Sequence, residues 1–382
     1  LAQTGVFKLK VFYTWSQAIG KVHDNDFGLT REWDVDLLAG YDHEFVHNIS
    51  TQPGSNHYRG IINPDLIGKV YQFNPDAILI YGWKFDSHLK LMRHFHGKLP
   101  ILFRGDSTLL NETPGFSIRK FLRFSALKWV YGHIDIALSP GKSSDDYFKA
   151  CGLIEDQIIR APHVVDNDFF SVETDQKEKE AMVWRKQLAI PDDHKVFLFA
   201  GKLEPQKDPE LLINAFFKLL EKRQDIHLII VGSGILENKL KALVASLTKS
   251  LTSDICRLTS VVSFIPFQNQ SRMPIIYRMA DVFVLPSRSE TWGLAVNEAM
   301  ASGRPVIVSN KCGCAKELIE DGKNGFVFIA CNEQDLITKM GSTLLADTQM
   351  MRQYATEKIK QFNFSTFSKQ LTSALSFKHT SK

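Results

Sequence analysis

Short apolar runs recur along this chain at intervals that leave room for one amphipathic helix between each pair, and the pattern happens twice. In the first half the runs fall at 8–13, 44–47, 77–81, 101–103, 134–138 and 158–160, with helical periodicity at 66–73, 87–96, 118–130 and 142–150. That rhythm builds a parallel sheet covered on both faces. Residues 171–180 are almost wholly polar and read as a linker or a solvated helix start. The rhythm then restarts with strands at 196–200, 228–231, 261–264, 282–285, 306–308 and 326–329. Helices are expected between them at 210–220, 237–247, 274–279, 294–302 and 333–345, and two more amphipathic segments close the chain over 350–375. The expected organisation is an α/β chain of two doubly wound domains facing across a cleft. The domains are 1–170 and 194–349, joined by a linker at 171–193, with C-terminal helices at 350–382 packing back toward the first. Ligands of such sheets gather outside the carboxyl ends of the strands.

With 382 residues the chain has room for two or three domains. A formal net charge of +4 is too mild to imply nucleic acid, and none is expected as a partner. The five cysteines are scattered, and Cys312-Gly-Cys314 lacks the second pair of a structural zinc site, so a reduced, cytoplasmic setting is expected. Sequons at Asn48, Asn111, Asn269 and Asn363 arise often by chance and prove no secretion. No apolar run approaches the roughly 18 residues of a membrane span.

The richest local pattern is at 281–309. The run Asp281-Val-Phe-Val-Leu-Pro286 reads as a buried strand, followed by a polar loop with Glu290 and Gly293, a helix from Leu294, and a second strand after Gly303. The opening amides of a helix lack internal partners and its dipole favours negative charge, so strand, glycine loop and helix start together make a place for an anion. Glu290 stands on the loop and Glu298 one turn into the helix. Taken alone, such a pair is more often two solvated glutamates.

Five segments in register change that weighting. Ala200-Gly-Lys-Leu-Glu-Pro-Gln-Lys207, Val231-Gly-Ser-Gly234, Ser289-Glu-Thr-Trp-Gly-Leu-Ala-Val-Asn-Glu298, Gly303-Arg-Pro-Val-Ile-Val308 and Glu317-Leu-Ile-Glu-Asp-Gly-Lys-Asn-Gly325 follow one another between 196 and 329. Together they resemble the donor domain of retaining GT-B glycosyltransferases of family 4, the group 1 type. The resemblance implies a GT-B fold of two Rossmann-like domains. It also implies hexosyl transfer from a nucleotide-diphosphate sugar to a hydroxyl acceptor with retention, in cell-surface polysaccharide or lipopolysaccharide synthesis. Lys202 and Lys207 would supply positive charge to the departing diphosphate. Gly201, Gly232, Gly293 and Leu294 would bring backbone and amides close to the donor, and Glu298 would accept two ribose hydroxyls. Glu290 would contact the transferred sugar. No cofactor is expected beyond the donor substrate, and no Asp-x-Asp motif stands in a suitable place, so metal-independent catalysis is favoured. A nucleotide-sugar epimerase of the same fold and an inactive sugar-nucleotide-binding protein are the alternatives.

The first half is similar in outline only. Leu102-Phe-Arg-Gly-Asp-Ser107 ends a strand where the family often places a His-containing segment. Arg104 can bind an anionic group there and Asp106 can orient the acceptor, or the cluster can be a helix cap with a packed arginine. Val164-Val-Asp-Asn-Asp-Phe-Phe170 resembles the interdomain element of the family. Residues 116–131 combine Arg119, Lys120, Arg123 and Lys128 with aromatics. They can lie on an anionic membrane at the inner face of the cell membrane, or form a sheet-covering helix with a basic outer face. The first strand and glycine loop of the family are expected upstream of Leu1. Cys314 and Asp208 stand where the family commonly has glycine.

Overall fold

The computed structural model describes the chain apart from residues 3–4, 17–21, 25–28, 32, 114, 116, 251–260 and 377–382, and gives 22–24 and 29–31 as backbone alone. Phe116, in the basic aromatic segment, therefore lies outside the described residues. Two compact units emerge. The first contains residues 1–20, 36–163 and 364–382, and the second contains 21–35 and 164–363.

In the first unit, β1 (Lys10–Tyr13) pairs in parallel with β4 (Asp42–Phe45). The short antiparallel hairpin of β2 (Val22–Asp24) and β3 (Leu29–Arg31) lies between them in sequence and within the second unit. A separate parallel sheet takes β5 (Ile78–Tyr81), β6 (Ile101–Arg104), β7 (Ile136–Ser139) and β8 (Ile158–Arg160) in chain order. Alternation decides its faces. Ile78, Ile80, Ile101 and Phe103 pack against Met92, Phe95, Val130 and Phe148 of the covering helices. Leu102, Ile136 and Leu138 point the other way, under Leu371 and Ala374 of the helix Phe364–Ser376.

The second unit holds six parallel strands: β9 (Lys195–Ala200), β10 (Ile226–Val231), β11 (Val262–Ile265), β12 (Val282–Leu285), β13 (Val306–Ser309) and β14 (Gly325–Phe328). Their order is β11-β10-β9-β12-β13-β14. The chain starts in the middle at β9, adds β10 and β11 on one side, then crosses to build β12 to β14 on the other. Phe197, Leu198, Phe199, Phe283 and Val284 are almost completely buried, as a sheet covered on both faces requires. The winding reverses between β9 and β12, and their carboxyl ends open the crevice where such sheets bind ligands.

The expected linker at 171–193 contains the helix Thr174–Gln187, so for its polar start at 171–180 the helical alternative is the one realised. Only Ala181 and Arg185 of that helix are buried, with Trp184 packed beside them, which leaves little apolar periodicity to read. The two C-terminal helices go to different units. Thr348–Ile359 buries Met351, Ala355 and Ile359 in the second, while Phe364–Ser376 covers the first.

Candidate functional site

The loops leaving β9 and β12 are stitched together at the switch point. Lys207 on the first loop forms an ion pair with Glu290 on the second, and both side chains are mostly shielded from solvent. Asp208, next in sequence, holds Arg288 through two contacts of 2.8 and 3.1 Å. The backbone N–H of Arg288 donates to Gln206, whose side-chain amide donates to Ser289. Asp208 is 2% exposed and adopts a left-handed backbone, φ +52°. Aspartate tolerates that conformation better than most side chains, so the residue that replaces the usual glycine keeps the turn and adds a partner for Arg288.

The second loop is fixed from its other side. Glu290 donates its N–H to Lys311 and accepts from Gly313, and Trp292 accepts from Cys314. The indole of Trp292 donates to Asn297 at 2.9 Å, which locks the loop to the first turn of the helix Leu294–Ala301. Gly293 caps that helix at φ +97°. A β-carbon there would stand 3.0 Å from Leu285 and 3.3 Å from Glu290, so sterics as well as φ select glycine. Cys314, buried beside it, fills space with a thiol whose proton is held far above the ordinary value by burial. Burial also pushes Cys312 up to about 12, so neither sulfur is a nucleophile at neutral pH.

Glu298 is reached from another element. Tyr277, fully buried on the helix Met273–Arg278, donates its hydroxyl to the Glu298 carboxylate at 2.7 Å, and Gln270 donates from 3.4 Å. Burial raises the carboxyl pKa, and the two hydrogen bonds oppose the rise. The turn that carries Gln270 is held in its turn by Asp34, whose carboxylate accepts from the Ser271 backbone and hydroxyl. Gln270, Tyr277, Asp34 and Arg288 carried no signal in the sequence, because each works through a partner at least 21 positions away.

Gly201 and Gly232 stand at the adjacent tips of β9 and β10. A β-carbon at Gly232 would fall 1.9 Å from the Gly201 carbonyl, and one at Gly234 2.6 Å from that of Leu203. The glycine turn therefore lies directly on the loop that carries Lys202 and Lys207. Structure thus brings Lys207, Glu290, Gly201, Gly232, Gly293, Leu294 and Glu298 to one end of the six-stranded sheet, with Lys202 on the same loop.

Arg104 and Asp106 belong to the first unit, at the tip of β6. Arg104 is 5% exposed, and its guanidinium donates to the carbonyls of Leu138, Ala161 and Pro162, contacts His163, and stacks over Phe367 at 5.0 Å. The packed alternative for Arg104 describes this geometry: its donors hold the tips of β7 and β8 rather than opening to a ligand. Burial, with the neighbouring Arg104 charge, pushes His163 down to about 4, which keeps its imidazole neutral.

Two Rossmann-like parallel-sheet units, the second with its winding reversed between β9 and β12, make an α/β fold of the kind GT-B glycosyltransferases have. Residues 181–361, somewhat under half of the chain, match the family model of glycosyl transferases group 1. Among curated relatives, an uncharacterized glycosyltransferase of Methanocaldococcus jannaschii is 37% identical over 150 residues, 38% of this chain and 35% of that protein. A D-inositol 3-phosphate glycosyltransferase of Corynebacterium aurimucosum is 29% identical over 220 residues, 56% of this chain and 50% of its own length. The matches thus span between a third and a half of these relatives. Solved structures extend the likeness of fold. HepE of Anabaena, crystallised with UDP and glucose, aligns over 88% of this chain and 86% of its own at 20% identity and a TM-score of 0.62. Sucrose-phosphate synthase of Thermosynechococcus elongatus aligns over 100% and 91% at 16% identity and a TM-score of 0.69.

Proposed function

We propose that this protein transfers a hexose from a nucleotide-diphosphate sugar to a hydroxyl acceptor with retained anomeric configuration, as a family 4 enzyme. One observation carries the reading: the Lys207–Glu290 pair stands beside the Leu294 helix start at the switch point of the second sheet. A cation, a helix N-terminus and a carboxylate are what a sugar diphosphate requires at its phosphates and at its sugar. Glu298, one turn further on, accepts the ribose hydroxyls. HepE, of similar fold, was solved with UDP and with UDP-glucose, which favours a nucleotide sugar as the donor class.

In the transfer, the bond between the anomeric carbon and the diphosphate oxygen breaks, and the acceptor oxygen bonds to that carbon from the same face. The acceptor proton passes to an oxygen of the departing diphosphate. Lys202 and Lys207 stabilise the charge that develops there, without a cofactor or metal as obligatory partner. Asp106 orients the acceptor. The expected setting is polysaccharide or lipopolysaccharide synthesis on the cytoplasmic side. Among the described residues no helix is long and apolar enough to cross a membrane.

The test is a thermal-shift and calorimetric screen against a panel of nucleotide sugars, followed by turnover assays with the best donor. Lys207→Ala should lower kcat by about a hundredfold, the usual scale for one transition-state charge contact, with little change in donor affinity. Unchanged turnover would remove Lys207 from the mechanism. Proton NMR of the product anomer decides retention. Nucleotide release only in the presence of acceptor separates a transferase from an epimerase, and donor binding without any turnover would identify a binding protein.

A further inference from the structure

At the amino ends of β9, β12 and β13, the end of the second sheet away from Lys207 and Glu290, four arginines gather around two carboxylates. Asp281 immediately precedes β12. Its carboxylate accepts the Val196 N–H at 2.9 Å and faces Arg185 at 3.6 Å and Arg352 at 3.2 Å. Glu178 forms an ion pair with Arg304, just ahead of β13, and stands 3.8 Å from Arg278. One cluster results, because the Arg304 guanidinium feels the charges of Arg352, Arg278, Glu178 and Asp281 together. Guanidiniums stay protonated in proteins, so four cations against two carboxylates leave a surplus of two positive charges. Hydrogen-bond donors are in surplus as well. The Nε–H groups of all four arginines, and the hydroxyl of Ser302, are buried without a hydrogen-bond partner among the described residues.

Main-chain carbonyls offset part of that charge. Arg278 donates to Pro274 at 2.9 Å, within the last turn of its own helix, and Arg185 donates to His194 at 2.7 Å. Arg304 and Arg352 reach no carbonyl among the described residues; Arg304 donates to Glu178 and Arg352 to Asp281. Their side chains are 2% and 36% exposed, so the pair leads from the interior to solvent. Buried charges of like sign are costly unless an opposite charge meets them. The guanidinium fork matches the oxygens of a phosphate, whose charge of nearly two fits the surplus, whereas chloride or a carboxylate brings one. We propose that Arg304 and Arg352, with Arg278 and the Ser302 hydroxyl, bind a phosphate group at this end of the second unit. That group is free phosphate or part of a small phosphorylated metabolite. The inference goes beyond sugar transfer and is separable from it, since none of these residues belongs to the proposed donor site.

The experiment is calorimetric titration and thermal unfolding of the whole protein with sodium phosphate, at an ionic strength held constant with sodium chloride. Phosphate should bind and raise the unfolding midpoint, while chloride alone should not. Glycerol 3-phosphate is the second probe: binding as tight as that of phosphate points to a phosphorylated metabolite, and weaker binding to the free ion. Arg352→Gln removes the partly exposed cation and leaves Asp281 its Arg185 partner. It should weaken phosphate binding about tenfold or more, the scale of a charge-assisted hydrogen bond. Glu178→Gln removes a negative charge and should tighten binding, and phosphate should then restore part of the stability that variant loses. Lys207→Ala should leave phosphate binding unchanged, which separates this site from the donor site. Circular dichroism checks that each variant is folded. Three results overturn the proposal: no phosphate-specific binding, binding that Lys207→Ala abolishes, or binding that folded Arg352→Gln retains in full.

Discussion

Glu298 shows how a single carboxylate is tuned by residues far from it in sequence. Burial raises its pKa, while Tyr277 and Gln270 donate hydrogen bonds that keep the ionised form accessible. In the proposed role of Glu298, ribose hydroxyls donate to its carboxylate, so donor binding should prefer the ionised state. A raised folded pKa means the proton is held more tightly than in the unfolded chain. Its stability contribution is therefore present at low pH and lost as pH rises through the raised value. Donor affinity should run the other way, falling as acidification protonates the carboxyl. Calorimetric titration from pH 5 to 8 should show donor Kd decreasing as pH rises. Glu298→Gln should flatten that profile and weaken binding at neutral pH by about tenfold or more, the scale of a hydrogen bond to a charged group. A profile identical in the variant would place the ribose elsewhere. Glu290, Glu298 and Gly293 were legible in the sequence because one strand, one loop and one helix carry them all. Gln270 and Tyr277 were not, since their partnership exists only once the helix Met273–Arg278 packs beside the helix Leu294–Ala301.

At the level of elements, the helix Thr174–Gln187 is held by charge as much as by apolar burial. Its Glu178 carboxylate forms an ion pair with Arg304, and Arg278 Nε stands 3.8 Å away. Both guanidiniums are 1–2% exposed at their side chains, and burial lowers Arg304 to about 10. On the other side of the cluster, Asp281 faces Arg185 at 3.6 Å and Arg352 at 3.2 Å. Four arginines thus share two carboxylates, so each carboxylate matters. Glu178→Gln should destabilise the second unit by about 2–4 kcal/mol, read from the urea midpoint. That is somewhat below the usual cost of orphaning a buried charge, because Glu178 is about one-third exposed. Arg304→Met in the same chain should recover part of the loss, since no charge then remains to be desolvated. An unchanged midpoint in Glu178→Gln would mean that solvent already screens the pair. The sequence showed this helix only as a polar stretch, because its anchoring partners lie some 100 or more residues downstream and leave no periodic apolar stripe.

For the whole molecule, the last helix is the element whose place sequence order alone does not give. It follows the second unit along the chain, yet Leu371 and Ala374 cover Leu102, Ile136 and Leu138 of the first. Phe367 lies under the Arg104 guanidinium that braces β7 and β8. Removal of residues 364–382 should destabilise the first unit by about 3–5 kcal/mol, the worth of two or three large apolar side chains, with the second unit unaffected. Hydrogen exchange should then quicken across β6 to β8 and stay constant across β9 to β14. Uniform quickening, or none, would show that the helix is not the cover of that face. Read alone, the chain determined the parallel strands, most helix positions and the order of the motifs in the second unit. Those follow from local periodicity and from turns that admit only glycine or aspartate. Tertiary structure alone decided which charges meet across the switch point, that Arg104 turns inward to carbonyls, and that four arginines gather around two carboxylates at the other end of the second sheet. Each of these depends on which distant surfaces the sheets bring together, and packing sets that rather than spacing along the chain.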